Sequence, residues 1–381
     1  MTNSLVDVLI VGAGPVGLTA ALVLQQHGHQ VRIVDNQSAG ANTSRAAVVH
    51  AHTLELLQPY GVTPALVGRG VHTPEFTVRD RDRVLLDVPF GDLPTAHPYA
   101  LMVSQADTEN YLLERFTELG GTVTRPATAT AVVQDTDTVT TTFDDGAHVR
   151  SRYLLGADGM HSSVRDQAGI GFAGGTYAES FTLADARLSG GVPEEEVILY
   201  FSPAGLMVVA PLPDGWHRVV ATVDDAPAEP GCTFVQRVLD DRGPRARSVE
   251  VEDVLWGSRF RVHHRIADTF RHGRILLAGD AAHVHSPAGG QGMNLGIEDA
   301  VAAGETLSRV LGGAPDAQLD DYAETRRKQA RRVVAMTGRL TDIGTAPAVV
   351  RPLRNAALGA LGKLPAVRRR LAWQLSGLDR R

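Results

Sequence analysis

Gly273-Arg274-Ile-Leu-Leu-Ala-Gly279-Asp280-Ala-Ala-His283 and, two residues later, Ser286-Pro287-Ala-Gly289-Gly290-Gln291-Gly292-Met293-Asn294 decide how this chain reads. The first half is a short apolar strand that delivers Gly279 and Asp280 to the end of a sheet. The second half is a glycine-rich turn that opens a helical stretch over residues 295–310. At a strand end, glycine lets a ligand approach the backbone, and a neighbouring carboxylate accepts hydrogen bonds from polyol hydroxyls. A helix N-terminus behind a glycine turn presents unbonded N–H groups and a partial positive charge. The ribityl chain of a flavin and the anionic edge of its reduced ring fit these two demands. A phosphate loop would fit the turn, but no Gly-Lys-Ser/Thr follows it.

Working outward, the opening residues carry a complete βαβ pattern. An apolar run over residues 6–11 ends in Gly12-Ala-Gly14-Pro-Val-Gly17, an Ala/Leu-rich stretch continues to Gln26, Gly28 stops it, and residues 31–34 form a second strand ending in Asp35. Gly12 permits the tight turn, Gly14 lets the backbone approach a pyrophosphate, and Gly17 lets helix and strand pack closely. Asp35, 18 residues after Gly17, stands where a ribose hydroxyl is accepted. This motif specifies a dinucleotide without choosing between NAD and FAD, which share the adenosine half. Between the two ends lies Tyr153-Leu-Leu-Gly-Ala-Asp158-Gly159-Met-His-Ser162-Ser163-Val-Arg165, an apolar strand running into an Asp-Gly turn. Its serines are suited to cap a following helix that carries Arg165 on its first turn.

Composition narrows the class. At 381 residues the chain exceeds one ordinary core, so two lobes and a terminal appendage are expected. A single cysteine, Cys232, excludes internal disulfides, CxxC redox chemistry and cysteine zinc sites, so no metal is expected and a cytoplasmic protein is the simplest reading. The net charge of −6 argues against nucleic acid as a partner. The basic run Arg326, Arg327, Lys328, Arg331 and Arg332 reads as a solvated helix face. Asp7 interrupts the apolar opening, which makes it a buried strand and not a signal peptide. No apolar run is long enough to span a membrane.

The three motifs, in this order, resemble those of the FAD-dependent aromatic hydroxylases of the para-hydroxybenzoate hydroxylase type, the group A flavoprotein monooxygenases, and especially their phenol-hydroxylase branch. The likeness covers roughly residues 5–345 and is strongest at the two ends of that span. It implies an α/β fold: a Rossmann-like FAD-binding domain with an inserted β-sheet substrate domain and a helical C-terminus. The corresponding boundaries are 1–74, 100–176 and 266–340 for the FAD-binding domain, 75–99 and 177–265 for the substrate domain, and 341–381 for the helical segment. Relatives in that branch often carry a thioredoxin-like domain after these helices, which is not expected in this chain, ending as it does at Arg381.

The resemblance also implies roles. Gly12, Gly14, Gly17 and Asp35 hold the ADP part of FAD, with Arg45 and Gln105 as further contacts. Asp158 and Gly159 match a fingerprint associated with FAD and the pyridine nucleotide. Gly279 and Asp280 meet the ribityl chain. Pro287, Gly292, Met293 and Asn294 line the isoalloxazine ring, with Pro287 near the carbon that carries oxygen. NADPH or NADH reduces the flavin without a nucleotide fold of its own. O2 then gives a flavin C4a-hydroperoxide that hydroxylates an electron-rich ring. The partners implied are a small aromatic substrate, O2 and NAD(P)H, with the protein a monomer or homodimer.

Residues 177–265 alternate like strands and read as a sheet covering one face of the flavin, joined by residues 75–99. Tyr200 aligns with a tyrosine that orients the phenol in the para-hydroxybenzoate enzymes. Where those enzymes clamp a carboxylate with a serine and an arginine, the corresponding stretch Met207-Val-Val-Ala210-Pro-Leu212 has neither residue, so a larger, more apolar phenol or polycyclic ring is expected. His217, His263 and His264 read as strand or surface histidines. A halogenase needs a lysine by the substrate and a Trp-x-Trp-x-Ile-Pro motif; the motif is missing and the two lysines, Lys328 and Lys363, lie in the last helical region. Baeyer-Villiger oxygenation, flavin reduction and a flavin-binding protein without turnover remain open.

Overall fold

The computed structural model describes residues 5–40, 46–223 and 225–381. The predicted βαβ unit forms: strand Val6–Val11, helix Pro15–Gln26 and strand Val31–Val34. Its helix is apolar on nearly every side and correspondingly buried at Pro15 and from Gly17 to Leu24, as expected of a helix sandwiched in a core. The long helix Gln291–Leu311 lies against it. Gly296 and Gly304 make that approach possible, since a Cβ on either would come within 2.7 Å of Val16 or Val23.

Strands Ile275–Leu277, His148–Gly156, Val6–Val11, Val31–Val34 and Val123–Thr124 are neighbours in that order and run parallel. The pairing aligns Val11 with Gly156, and Gly156 with Leu277. All three motifs therefore leave the sheet side by side at its carboxyl edge, where open α/β sheets bind ligands. Leu9, Ile10, Leu18, Leu22, Ile33, Leu155 and Leu295 are fully buried in this half, and burying each stabilises by about 1.5–3 kcal/mol.

The second sheet has the order His283–Val284, Val249–Ala267, Phe172–Gly190, Trp216–Thr222, Gly205–Pro211, Glu196–Ser202, Glu75–Asp80, Arg83–Pro89. Two of its strands, Phe172–Gly190 and Val249–Ala267, are 19 residues long and pair antiparallel from Phe172↔Ala267 to Gly190↔Val249. Their Phe172 and Ala267 ends pack into the core of the first sheet while both strands belong to the second, so the boundaries expected at 176/177 and 265/266 fall within strands. Helix Cys232–Arg242, which begins at the exposed Cys232, covers one face of this sheet with Val235, Val238 and Leu239. The other face meets Ala47, Val48, Met102 and Leu340.

Helices Gln318–Gly344, Arg351–Leu361 and Pro365–Leu375 complete the chain, followed by a short 3-10 turn, Leu378–Arg380. The architecture is thus a mixed α/β fold with two large sheets and a helical C-terminal region. One expectation is corrected here. Lys328, Arg331 and Arg332 are exposed, but Arg326 is buried and ion-paired to Asp299 and Glu298. Helical periodicity sets it on one stripe with Tyr322, Ala323, Ala330 and Val333, all buried. Among the described residues, no helix is long and apolar enough to cross a membrane.

Candidate functional site

At the first turn, two glycines answer to packing and one to open space. Gly12 has φ +104°, and a Cβ there would lie 2.2 Å from the Ala157 carbonyl oxygen; a Cβ on Gly17 would lie 1.8 Å from that of Gly12. A Cβ on Gly14 would meet nothing within 4 Å. Gly14 also precedes helix Pro15–Gln26 with no side-chain cap, so the first N–H groups are left for a ligand. Asp35 accepts from the Ala13 N–H (2.6 Å) and the Gln37 N–H (2.8 Å), and a carboxylate has about four acceptor positions, so two remain.

Arg125, which no motif announced, donates to the Ala13 carbonyl oxygen at 3.1 Å, and its Nε is buried without a partner. Gln105 begins a helix capped by Ser104 and donates to Glu109 at 2.8 Å. Burial and the nearby Asp35 push the Glu109 carboxyl up, against the pull of Gln105 and Arg125. Arg45 lies outside the described residues.

The second motif turns its acid inward. Asp158 accepts from Ser162 Oγ (2.5 Å), Ser163 Oγ (3.1 Å) and the Val164 N–H (3.1 Å), so its carboxylate fixes its own turn, while Gly159 has open space where a Cβ would stand. Ser162 caps helix Ser163–Gln167 by accepting from the Arg165 N–H. Arg165 is buried, lies 4.0 Å over the Phe172 ring, and donates to the carbonyl oxygens of Met160 and Ala281, each at 3.1 Å. The second motif thereby grips the third.

In the third motif a Cβ on Gly279 would come within 2.7 Å of Val16, so this turn is seated on the first helix. Asp280 is exposed at the strand end. Gly289 and Gly290 both have positive φ, and helix Gln291–Leu311 starts with no side-chain cap. Pro287 is exposed, Gly292 and Met293 are half-buried, and Asn294 is fully buried. The Asn294 amide is spent on backbone: it donates to the Val48 (2.9 Å) and Gly290 (2.8 Å) carbonyl oxygens and accepts from the His50 N–H (2.8 Å). It staples strand Val48–Val49 to the glycine turn. His50 Nε2 lies 2.9 Å from the Gly289 carbonyl oxygen, and burial pushes this imidazole down to about 4, so the neutral ring donates.

Behind these turns sits a buried group of charges that the sequence reading missed. Asp299 accepts from the Gly279 N–H (3.1 Å), His283 Nε2 (2.6 Å) and Arg326 Nε (2.6 Å). Glu298 accepts from Arg326 (3.2 Å) and Arg380 (2.7 Å). Burial alone would raise both carboxyls, but the guanidiniums, Arg380 and Arg326 at Glu298 and Arg326 at Asp299, hold them below the ordinary range.

On the sheet above, neighbouring side chains point to opposite faces. Val197, Leu199 and Phe201 face the first half of the molecule, while Ile198 and Tyr200 pack with Val235 and Met207 on the face covered by helix Cys232–Arg242. Tyr200 therefore points away from the turns described above, and burial pushes its phenol up to about 12. This corrects its expected role beside the reacting ring. His217 is buried on the same far face, and neither ring nitrogen has a hydrogen-bond partner. His263 bonds Thr176, and His264 packs edge-on against Tyr177. Ala210 and Leu212 are buried against Ala47 and Met102, so no charged group stands at either position.

The sequence profile of the family described as "FAD binding domain" matches residues 5–337. A protein of Streptomyces rimosus named 6-methylpretetramide 4-monooxygenase is 38% identical over 360 residues, 92% of this chain and 63% of the relative, so this chain spans less than two thirds of that protein. A protein of Streptomyces rugosporus named dialkyldecalin synthase is 35% identical over 376 residues, 98% of this chain and 80% of the relative. Among solved structures, p-nitrophenol 4-monooxygenase PnpA of Pseudomonas putida DLL-E4 superimposes with a TM-score of 0.87 at 27% identity, covering 99% of both chains.

Proposed function

The chain belongs to the FAD-binding-domain family, and on that premise we propose that it is an FAD-dependent monooxygenase that uses NADPH or NADH and O2 to hydroxylate a phenolic or polycyclic aromatic substrate. The observation that carries the reading is the strand register that brings Gly12, Ala157 and Ala278 out at one sheet edge, beside two helix starts without side-chain caps. The open flank of Gly14 and the orphaned Arg125 Nε fit a dinucleotide at that edge.

FAD held there would supply the redox chemistry between a nicotinamide and O2. The protein's part is to hold and orient it. The N–H groups following Gly14 take the diphosphate, with Gly12 and Gly17 shaping their turn. Asp35 would hold the adenosine side, Gln105 and Arg45 would make further contacts to FAD, and Gly279 and Asp280 would meet the ribityl hydroxyls. The backbone at Pro287, Gly292 and Met293 flanks the ring, and the N-terminus of helix Gln291–Leu311 offers positive potential to negative charge on it. Asp158 and Asn294 act by fixing turns, not by side-chain contact with the ligand, while Gly159, like Gly14, leaves open space beside its backbone. Ala210 and Leu212 favour an apolar substrate over a carboxylate. The relatives whose names specify a monooxygenase support the reaction class.

The relative named a synthase favours a second reading, in which the same fold carries bond formation without oxygen insertion. A screen of phenolic and polycyclic compounds for stimulated NAD(P)H oxidation, with mass analysis of products, separates the two. A gain of one oxygen supports monooxygenation. A product isomeric with its substrate, formed without nicotinamide consumption, overturns it. Product structure then distinguishes ring hydroxylation from Baeyer-Villiger expansion.

A further inference from the structure

Adjacent positions on helix Gln291–Leu311 carry the two buried carboxylates, and each serves a different turn. Asp299 holds the Gly279 N–H at the strand end. Glu298 takes both sides of the Arg380 guanidinium, Nε at 3.0 Å and Nη2 at 2.7 Å. Arg380 Nη2 also donates to Gln291 Oε1 at 3.1 Å, and the Gln291 amide nitrogen in turn donates to the carbonyl oxygens of Gly289 (2.9 Å) and Leu375 (3.1 Å). Arg326 bridges Glu298 and Asp299. Arg380 and Glu298 are almost sealed, with side-chain exposures of 3% and 2%. A guanidinium presents donors in a fixed fork, so one group sets the distance between a helix carboxylate and the first residue of that helix.

We propose that Arg380 is a positioning residue for the bound flavin, acting through Gln291 and Glu298 to fix the Gly289–Gly290 turn and to add positive potential at the N-terminus of helix Gln291–Leu311. The assignment rests on the reading of that turn as the ring-facing part of an FAD site. Arg380 itself touches no ligand in this scheme; it determines where the turn's N–H groups stand.

The test uses the purified FAD-loaded protein and compares Arg380→Gln, Arg380→Lys and the paired change Arg380→Gln with Glu298→Gln, which avoids leaving the buried Glu298 carboxylate with Arg326 as its one guanidinium partner. Arg368→Gln is the control, because Arg368 pairs with Asp87 and anchors the same helical region to the second sheet. FAD affinity by fluorescence titration, the midpoint potential of the bound flavin and thermal stability are read for each. Arg380→Gln and the paired variant are expected to bind FAD roughly three- to thirtyfold more weakly, the range over which residues without ligand contact modulate binding. Arg380→Gln should also shift the potential negative, each tenfold loss of preference for the reduced flavin being 29.6 mV for a two-electron couple. Arg380→Lys should keep the wild-type potential while losing part of the affinity. Arg368→Gln should lower only thermal stability. Wild-type affinity and potential in the paired variant, or an equal loss of both in Arg368→Gln, would overturn the inference while leaving the FAD reading intact. A wild-type protein that takes up no FAD would overturn that reading, and the inference with it.

Discussion

Two glycines three residues apart separate binding from folding. Gly14 borders open space and Gly17 a backbone oxygen. Gly14→Ala should leave thermal stability within about 0.5 kcal/mol of wild type yet weaken FAD binding by about tenfold, or ~1.4 kcal/mol, in a fluorescence titration. Gly17→Ala should cost about 3 kcal/mol or more, at the top of the range for overpacking, and lower the melting temperature whether or not FAD is present. Equal effects from both substitutions would show that Gly14 serves packing after all. Acid sensitivity is also a residue-scale property. Burial holds both His50 and His285 neutral, with each imidazole pushed down to about 4 from 6.5. Below pH 6.5 the unfolded chain takes up protons that the native state refuses, so stability falls as pH drops from 6.5 towards 4. Each ring contributes on the order of 3 kcal/mol to that loss by pH 4. Melting curves between pH 7 and pH 4 should show this decline, and His285→Gln should flatten it.

At the scale of elements, the most consequential join is the Asn294 staple between strand Val48–Val49 and the turn before helix Gln291–Leu311. Asn294→Ala leaves buried backbone groups without partners, at about 1–3 kcal/mol each. The expected outcome is a lower melting temperature together with faster FAD release in a stopped-flow displacement assay; unaltered release would mean the turn holds its shape alone. Elements of this kind were only partly legible in the sequence. The βαβ unit and both later motifs were readable because glycine spacing and apolar runs are local signals. The face to which Tyr200 points was not, since it depends on strand register and on which side helix Cys232–Arg242 covers. Arg326 looked like one member of a basic run because its partners, Glu298 and Asp299, are 28 and 27 residues away on another helix. Arg125 and Arg380 gave no local sign for the same reason: their partners meet them only in the folded chain.

Across the whole molecule, the paired 19-residue strands Phe172–Gly190 and Val249–Ala267 belong to the second sheet, and their Phe172 and Ala267 ends pack into the core of the first. Two of the three tryptophans, Trp216 and Trp256, lie on the second sheet, and Trp373 lies in helix Pro365–Leu375. If the halves unfold together, FAD at a thousand times its dissociation constant should stabilise the tryptophan-detected transition by about 4.1 kcal/mol, matching the shift seen by flavin absorbance. A tryptophan transition that ignores FAD would mean that the second sheet melts alone. The exposed thiol at the start of helix Cys232–Arg242 has a practical corollary. As the chain's one cysteine, it allows a dye, spin label or surface tether to be attached at a single known point without mutagenesis. That point is on the side of the second sheet turned away from the cofactor turns, so an immobilised molecule would keep its reactive edge towards solution.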